Sequence, residues 1–183
     1  MEELKEYTIP FIGLKNGEHH FDFQIEQAFF DHFEYDDFSK ADIRLDVRLL
    51  KKPTLLEFNL EFNGQVNLLC DLTNEPFDQQ IEGSHHFVVK FGTDFNDEDD
   101  EILIIPHGSH QVNIQQQVYE TIVLSLPVKR IHPGVADGSL QSDVLDRLDS
   151  LSLGSNETND NEEDQTDPRW DDLKKLLTDK DKT

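Results

Sequence analysis

A chain of 183 residues with a net charge of −23 and 36% hydrophobic residues can hold one domain plus extra segments, and is too polar to be packed throughout. Such a charge excludes non-specific gripping of RNA or DNA by a phosphate-neutralising surface and favours basic partners. A single cysteine excludes an internal disulfide and suits a reducing compartment. With no apolar leader after a basic start and no apolar run of about eighteen residues, the chain reads as cytoplasmic and without membrane contact.

The thirteen phenylalanines all precede residue 100, which places the core in the first two thirds. A core of about 130 residues buries roughly 65–70% of its unfolded surface and needs no disulfide or metal staple. Residues 4–11 and 19–25 read as two short strands around a Lys15-Asn16-Gly17 turn. Tyr7, Ile9 and Phe11 share one face of the first, and Phe21, Phe23 and Ile25 one face of the second. Ala28, Phe29, His32 and Phe33 have helical spacing and support one or two turns over 26–33. In 41–50, Ile43, Leu45, Val47 and Leu49 alternate with Asp42, Arg44, Asp46 and Arg48, and Lys51-Lys52-Pro53 turns the chain.

The alternation continues through Leu56, Phe58, Leu60 and Phe62, then Val66, Leu68, Cys70 and Leu72, with Asn63-Gly64 between the runs. Asn-Gly is a strong hairpin signal. A two-residue loop would pair apolar with polar residues on both faces. Burial therefore predicts an odd register, pairing Phe62 with Val66, Leu60 with Leu68, and a buried Cys70 with Phe58. Residues 42–72 then form a three-stranded antiparallel meander. Residues 79–91, with Phe87, Val89 and Phe91 on one face, and 101–106 add further strands. In 112–126, Val118, Ile122 and Leu126 recur every fourth residue, predicting an amphipathic helix that packs on the sheet and stops at Pro127. Residues 128–132 form a short extended exit.

After Pro133 the composition turns to Gly, Ser, Asn, Asp and Glu without an aromatic residue up to 166, which does not bury enough apolar surface to offset chain entropy. Leucines within 144–153 allow a docking helix. Asp167-Pro168 has the chemistry of an N-cap and first helical residue, and Trp170, Leu173, Leu176 and Leu177 form one stripe of a short C-terminal helix. The expected organisation is a core domain over 1–133, an acidic disordered linker over 134–166 and a helical segment over 167–183.

Candidate sites are few. In the acidic run 94–101, Asp94, Asn96 and Glu98 match the first EF-hand ligand spacings. Asp99 stands where a glycine is needed, and Ile105 where a bidentate Glu is needed. A solvated acidic loop is the expectation. His19-His20 and His85-His86 are neighbours on strands, so the two rings of each pair point to opposite faces. His107 and His110 are the best-placed metal candidates, without a Cys pair or HExxH to support them, and the histidines read as surface residues. Cys70 lacks an adjacent basic group, and burial raises a thiol pKa. With no G-x-S-x-G, phosphate loop or dinucleotide fingerprint, no catalytic residue, cofactor or metal is assigned, and the chain does not read as an enzyme. Lys129 and Arg130 read as a helix exit whose cations suit the dipole, or as a contact patch. Trp170, Leu173 and Leu177 either cap the domain or bind a partner.

Three stretches in order resemble the YceD-like family, linked to large-subunit ribosomal RNA accumulation in bacteria and plastids. They are the strand into Cys70 with Glu75-Pro76-Phe77, the segment from Glu120 through Leu124-Ser125-Leu126-Pro127 to His132, and Asp167-Pro168-Arg169-Trp170 with Leu173 and Leu176-Leu177. The family's second cysteine falls at Thr73 and its arginine at Leu72, so a C-x-x-C metal site does not carry over. The resemblance implies a non-enzymatic role in ribosome biogenesis. With the charge, it implies binding to a basic ribosomal protein or assembly factor, and indirect rather than broad direct rRNA contact. Candidate contacts are Glu75, Pro76, Phe77, Lys129, Arg130, Trp170, Leu173 and Leu177. Alternatives are a metal-dependent enzyme using His107, His110 and the acidic loop, and a general acidic chaperone for basic proteins. The expected fold is α+β: a twisted antiparallel sheet, with scope to curl toward a barrel, carrying one packed helix.

Overall fold

Period-two patterning dominates the sequence, and its outcome is mostly sheet. A computed structural model describes residues 4–99 and 101–151. A 3-10 turn over Lys5–Tyr7 leads into β1 (Thr8–Pro10), followed by β2 (Gly17–Glu26), α1 (Gln27–His32), β3 (Phe38–Lys51), β4 (Leu55–Leu69), β5 (Pro76–Gly92), β6 (Asn96–Asp99), β7 (Ile102–Pro106) and β8 (Gln111–Asn113). Helices α2 (Gln115–Leu124), α3 (Pro133–Ala136) and α4 (Asp143–Leu151) complete the described chain. Six strands form one sheet in the order β2-β3-β4-β5-β7-β6, and β1 pairs with β8 in a separate ribbon. The chain divides into two compact units, Met1–Ser142 and Asp143–Thr183. Among the described residues no helix is long and apolar enough to cross a membrane.

The core lies on one face of the sheet. Leu45, Val47 and Leu49 of β3 stand opposite Phe62, Leu60 and Phe58 of β4, and Phe58 stands opposite Phe87 of β5. The Phe58 and Phe87 rings stack with centroids 4.9 Å apart. Tyr7, Ile9, Phe11, Phe29 and Phe30 of the N-terminal segment and α1, with Val118 and Ile122 of α2, join the same buried cluster. Each fully buried Leu, Ile or Phe contributes about 1.5–3 kcal/mol, so this face dominates the stability. The opposite face carries opposed charges: Arg44 meets Asp22 and Asp46, Arg48 meets Glu61, and Lys52 meets Glu57.

The α+β class and the helix packed on the sheet agree with the sequence reading. The Asn63-Gly64 hairpin does not form. β4 runs straight through both residues, with Asn63 between Arg44 and Glu82, and Gly64 between Ile43 and Ile81. Cys70 is buried as expected, but it follows β4 and does not face Phe58. A hairpin there would strip residues 38–44 of β3 and 77–82 of β5 of their β4 partners. That loss outweighs a local turn preference. Gly64 has a different reason to be glycine. A Cβ on it would lie 2.3 Å from the Asp42 carbonyl oxygen and 2.5 Å from the Ile43 Cα, so the β3 backbone occupies the space of a side chain.

Other differences follow from long-range pairing. Residues 4–11 were expected beside 19–25, but β1 pairs with β8, placing Ile9 opposite Val112. Val112 therefore belongs to a strand and α2 starts at Gln115. The sheet is mixed, because β7 runs parallel to β5, and it does not close into a barrel, with β2 and β6 as its end strands. The acidic run contains a short edge strand, β6, rather than only loop. In the segment 134–166, α4 takes up part of the leucine-containing stretch, with Asp143 and Asp146 in its first turn, where carboxylates suit the helix dipole. The helix expected over 167–180 lies outside the described residues.

Gly64→Ala should destabilise the protein by about 2–3 kcal/mol, since the obstructing atoms are backbone and cannot swing away. Urea unfolding would measure this, and a loss under about 0.5 kcal/mol would contradict the close approach of β3.

Candidate functional site

The loop between β4 and β5 is tight because its backbone bonds to itself. Cys70 N–H donates to the Glu75 carbonyl at 2.9 Å, and Asn74 N–H to the Cys70 carbonyl at 2.8 Å. Asn74 has φ 57°, a left-handed conformation that Asn tolerates better than most residues. Beside this loop runs the segment that leaves α2. Asp71 N–H donates to the Arg130 carbonyl at 2.7 Å, and Arg130 N–H returns to the Asp71 carboxylate at 2.8 Å. His132 N–H donates to the Cys70 sulfur at 3.3 Å. The His132 ring meets Phe77 with centroids 5.6 Å apart, while its Nδ1 accepts the Gly134 N–H at 2.9 Å and caps α3. Two stretches some sixty residues apart are therefore one joint.

The joint sets the chemistry of its members. Burial pushes the Cys70 thiol up, as the sequence reading expected. The Thr73 hydroxyl and the N–H groups of His132, Leu72 and Thr73 all aim at the sulfur, and together they hold the thiol below its ordinary value. Thr73, which stands in place of a second cysteine, thus acts as a hydrogen-bond donor to the first. Arg130 is tied down rather than offered to solvent: its guanidinium donates to Asp37 at 2.6 Å. That contact, with the Tyr35 hydroxyl donating to the same oxygen at 3.0 Å, holds the Asp37 carboxyl below the usual range against partial burial. Burial and then the bond to Asp37 push the Tyr35 hydroxyl up to about 12.

Of the candidate contacts, Phe77 is buried and Arg130 is held within the joint. Pro76 and Lys129 are exposed and Glu75 half-buried, so these three are the surface of the joint. Trp170, Leu173 and Leu177 lie outside the described residues. Neither Lys129 nor Arg130 lies in the last turn of α2, and Arg130 is instead tied to Asp37 and Asp71. His107 and His110 are both exposed, at a turn where His107 N–H donates to the Gly92 carbonyl. Among the described residues no group of three or more His, Cys, Asp or Glu side chains could hold a metal ion. Tyr35, Asp37 and Asp71 carried no sequence signal. Thr73, three residues after Cys70, did.

Asp37→Asn tests the tie. The folded carboxyl titrates lower than in the unfolded chain, so its stabilisation is present above the unfolded value and lost as pH falls through the folded one. The variant should lose roughly 0.5–1 kcal/mol at pH 7 for this partly exposed pair, and match the parent in acid below both values. Urea unfolding at the two pH values checks this, and an equal loss at both contradicts it. Thr73→Val should raise the pH midpoint of Cys70 alkylation by a small reagent, and an unchanged or lower midpoint would remove the hydroxyl's role.

A protein-family model described as large ribosomal RNA subunit accumulation protein YceD matches residues 58–177, about two thirds of the chain. Comparison with curated proteins and with solved structures finds no match.

Proposed function

The chain belongs to the YceD family, whose description is large ribosomal RNA subunit accumulation protein, and from that premise we propose that it supports rRNA accumulation by binding a basic ribosomal protein or basic assembly factor. The observation that carries the choice of partner is the net charge of −23. Each phosphate brought against such a surface adds repulsion, whereas a Lys- and Arg-rich protein gains from it and is steered toward it. The two family stretches that meet at Cys70, Asp71, Arg130 and His132 support one shared contact region, with Glu75, Pro76 and Lys129 at its surface. The buried members serve as its scaffold. The protein then acts on rRNA through the partner it holds.

Affinity capture from lysate at about 0.1 M and about 1 M salt tests this, because the screening length falls from about 10 to about 3 Å over that range. A basic large-subunit protein or assembly factor should be retained at low salt and released at high salt. Tight binding of protein-free rRNA that persists at high salt would overturn the reading. So would equal retention of many unrelated basic proteins, which is the behaviour of a general chaperone.

A further inference from the structure

A groove of about 700 Å³ opens between α2 and the β5-β7-β6 end of the sheet, away from the joint. Its floor is mostly polar at the surface: the half-buried His85 ring lines it with Ser84 and His86, stacked at 5.7 Å on Phe87, which like Leu103 is nearly fully buried beneath. Gln116, Glu120 and Leu124 line one wall. Their four-residue spacing gives α2 a second stripe, distinct from the Val118 and Ile122 stripe that enters the core. Leu124 is 83% exposed, a large apolar side chain without cover. Asp97, Asp99 and Glu101 form the other wall. Strand β6 is the last of the sheet, so its outer edge has no strand neighbour among the described residues and can accept an extended segment.

Charge identifies the occupant. On the outer face of the sheet, Asp22, Asp46, Glu57 and Glu61 each have an arginine or lysine partner, Asp42 and Asp78 line a shallow pocket together with Lys40, and Glu82 stands without an ion pair among the described residues. Among the described residues, Asp97, Asp99, Glu101 and Glu120 have no ion-pair partner, and no lysine or arginine lines the groove. Four carboxylates without an ion-pair partner, with the His85 ring and Leu124 between them and a free strand edge beside, complement a peptide that alternates cationic and apolar side chains. We propose that this groove binds an extended Lys- and Arg-rich segment of the partner protein, which lies along β6 with its apolar residues against Leu124 and the His85 ring. The proposal rests on the reading that the partner is a basic protein, and it assigns that partner a site separate from the Cys70–His132 joint.

The test uses the full chain and a fluorescein-labelled twelve-residue peptide of alternating lysine and valine, read by anisotropy. A peptide of alternating glutamate and valine and a single-stranded RNA of equal length are the comparison probes. The groove variant combines Asp97→Asn, Asp99→Asn, Glu101→Gln and Glu120→Gln. The control removes the same charge from exposed positions elsewhere, by Glu18→Gln, Asp42→Asn, Asp78→Asn and Glu82→Gln. The lysine peptide should bind the parent and shift the His85 imidazole resonances. It should bind the groove variant at least about tenfold more weakly, and the control within about twofold. Leu124→Lys should weaken binding with the four carboxylates intact. Equal losses in groove variant and control would mean diffuse charge and overturn the site, as would preferential RNA binding or an unshifted His85. If the groove variant still captures the basic partner from lysate as the parent does, the groove is wrong and the functional reading stands. If the lysine peptide binds in the groove but the parent captures no basic ribosomal or assembly protein, the groove stands and the functional reading fails.

Discussion

β4 lies between β3 and β5 and is hydrogen-bonded to both along nearly its whole length, and almost everything else in the first unit is placed by it. Its even-numbered residues from Leu56 to Leu68 point into the core, interrupted only at Gly64, where the β3 backbone presses in. Because side chains alternate with period two, a slip of one residue would turn this entire apolar set to solvent. The Phe58–Phe87 stack and the rows that join Leu45 to Phe62 and Val47 to Leu60 lock that choice. The loop after β4 inherits it: the strand delivers Cys70 to the one place where the chain leaving α2 passes close enough to donate a hydrogen bond to it.

Much of this was legible because burial writes itself into spacing. β3, β5 and α1 fall near where alternation and helical spacing put them, and Val118 and Ile122 of the predicted stripe are buried in α2, beside an unpredicted Gln115, whereas Leu126 lies past the helix and is half-buried. The errors share a cause. Asn63-Gly64 is a strong local signal, and it lost to two neighbouring strands that no local reading contains. Parity was a warning, since the apolar positions stay even-numbered from Leu56 to Cys70, as a straight strand requires. The parallel pairing of β7 had no signature beyond a short apolar run, which suits either direction. Val112 looked like the first turn of a helix because its partner, Ile9, is 103 residues away in sequence. At the joint, Cys70 and Thr73 could be read together, but Asp37 and Arg130 are brought side by side only by the fold.

Electrostatics divides the surface into two kinds. Where cations are interleaved, as around Arg44 and Arg48 or at Arg130, carboxylates are neutralised within the chain and serve its own architecture. Where they are absent, as along β6 and Glu120, the charge is turned outward. Net charge alone states that basic partners are favoured. The distribution of its few cations says which part of the surface is open to them.

The order of strands in the sheet has a consequence for how the molecule forms and opens. β2 through β5 can assemble by successive short connections, each strand adding to its predecessor. β7 must enter between β5 and β6, both of which precede it in sequence, so the β6–β7 ribbon joins an already built sheet as a unit. Leu103 and Ile105 are the buried side chains of this ribbon, so it adds less apolar burial than the strands inside the sheet. The acidic wall of the groove therefore sits on an end ribbon of the sheet. An occupant bonded along β6 would act as a clasp on the sheet's terminal strands, coupling binding to the local stability of that end while leaving the β4-centred core unchanged.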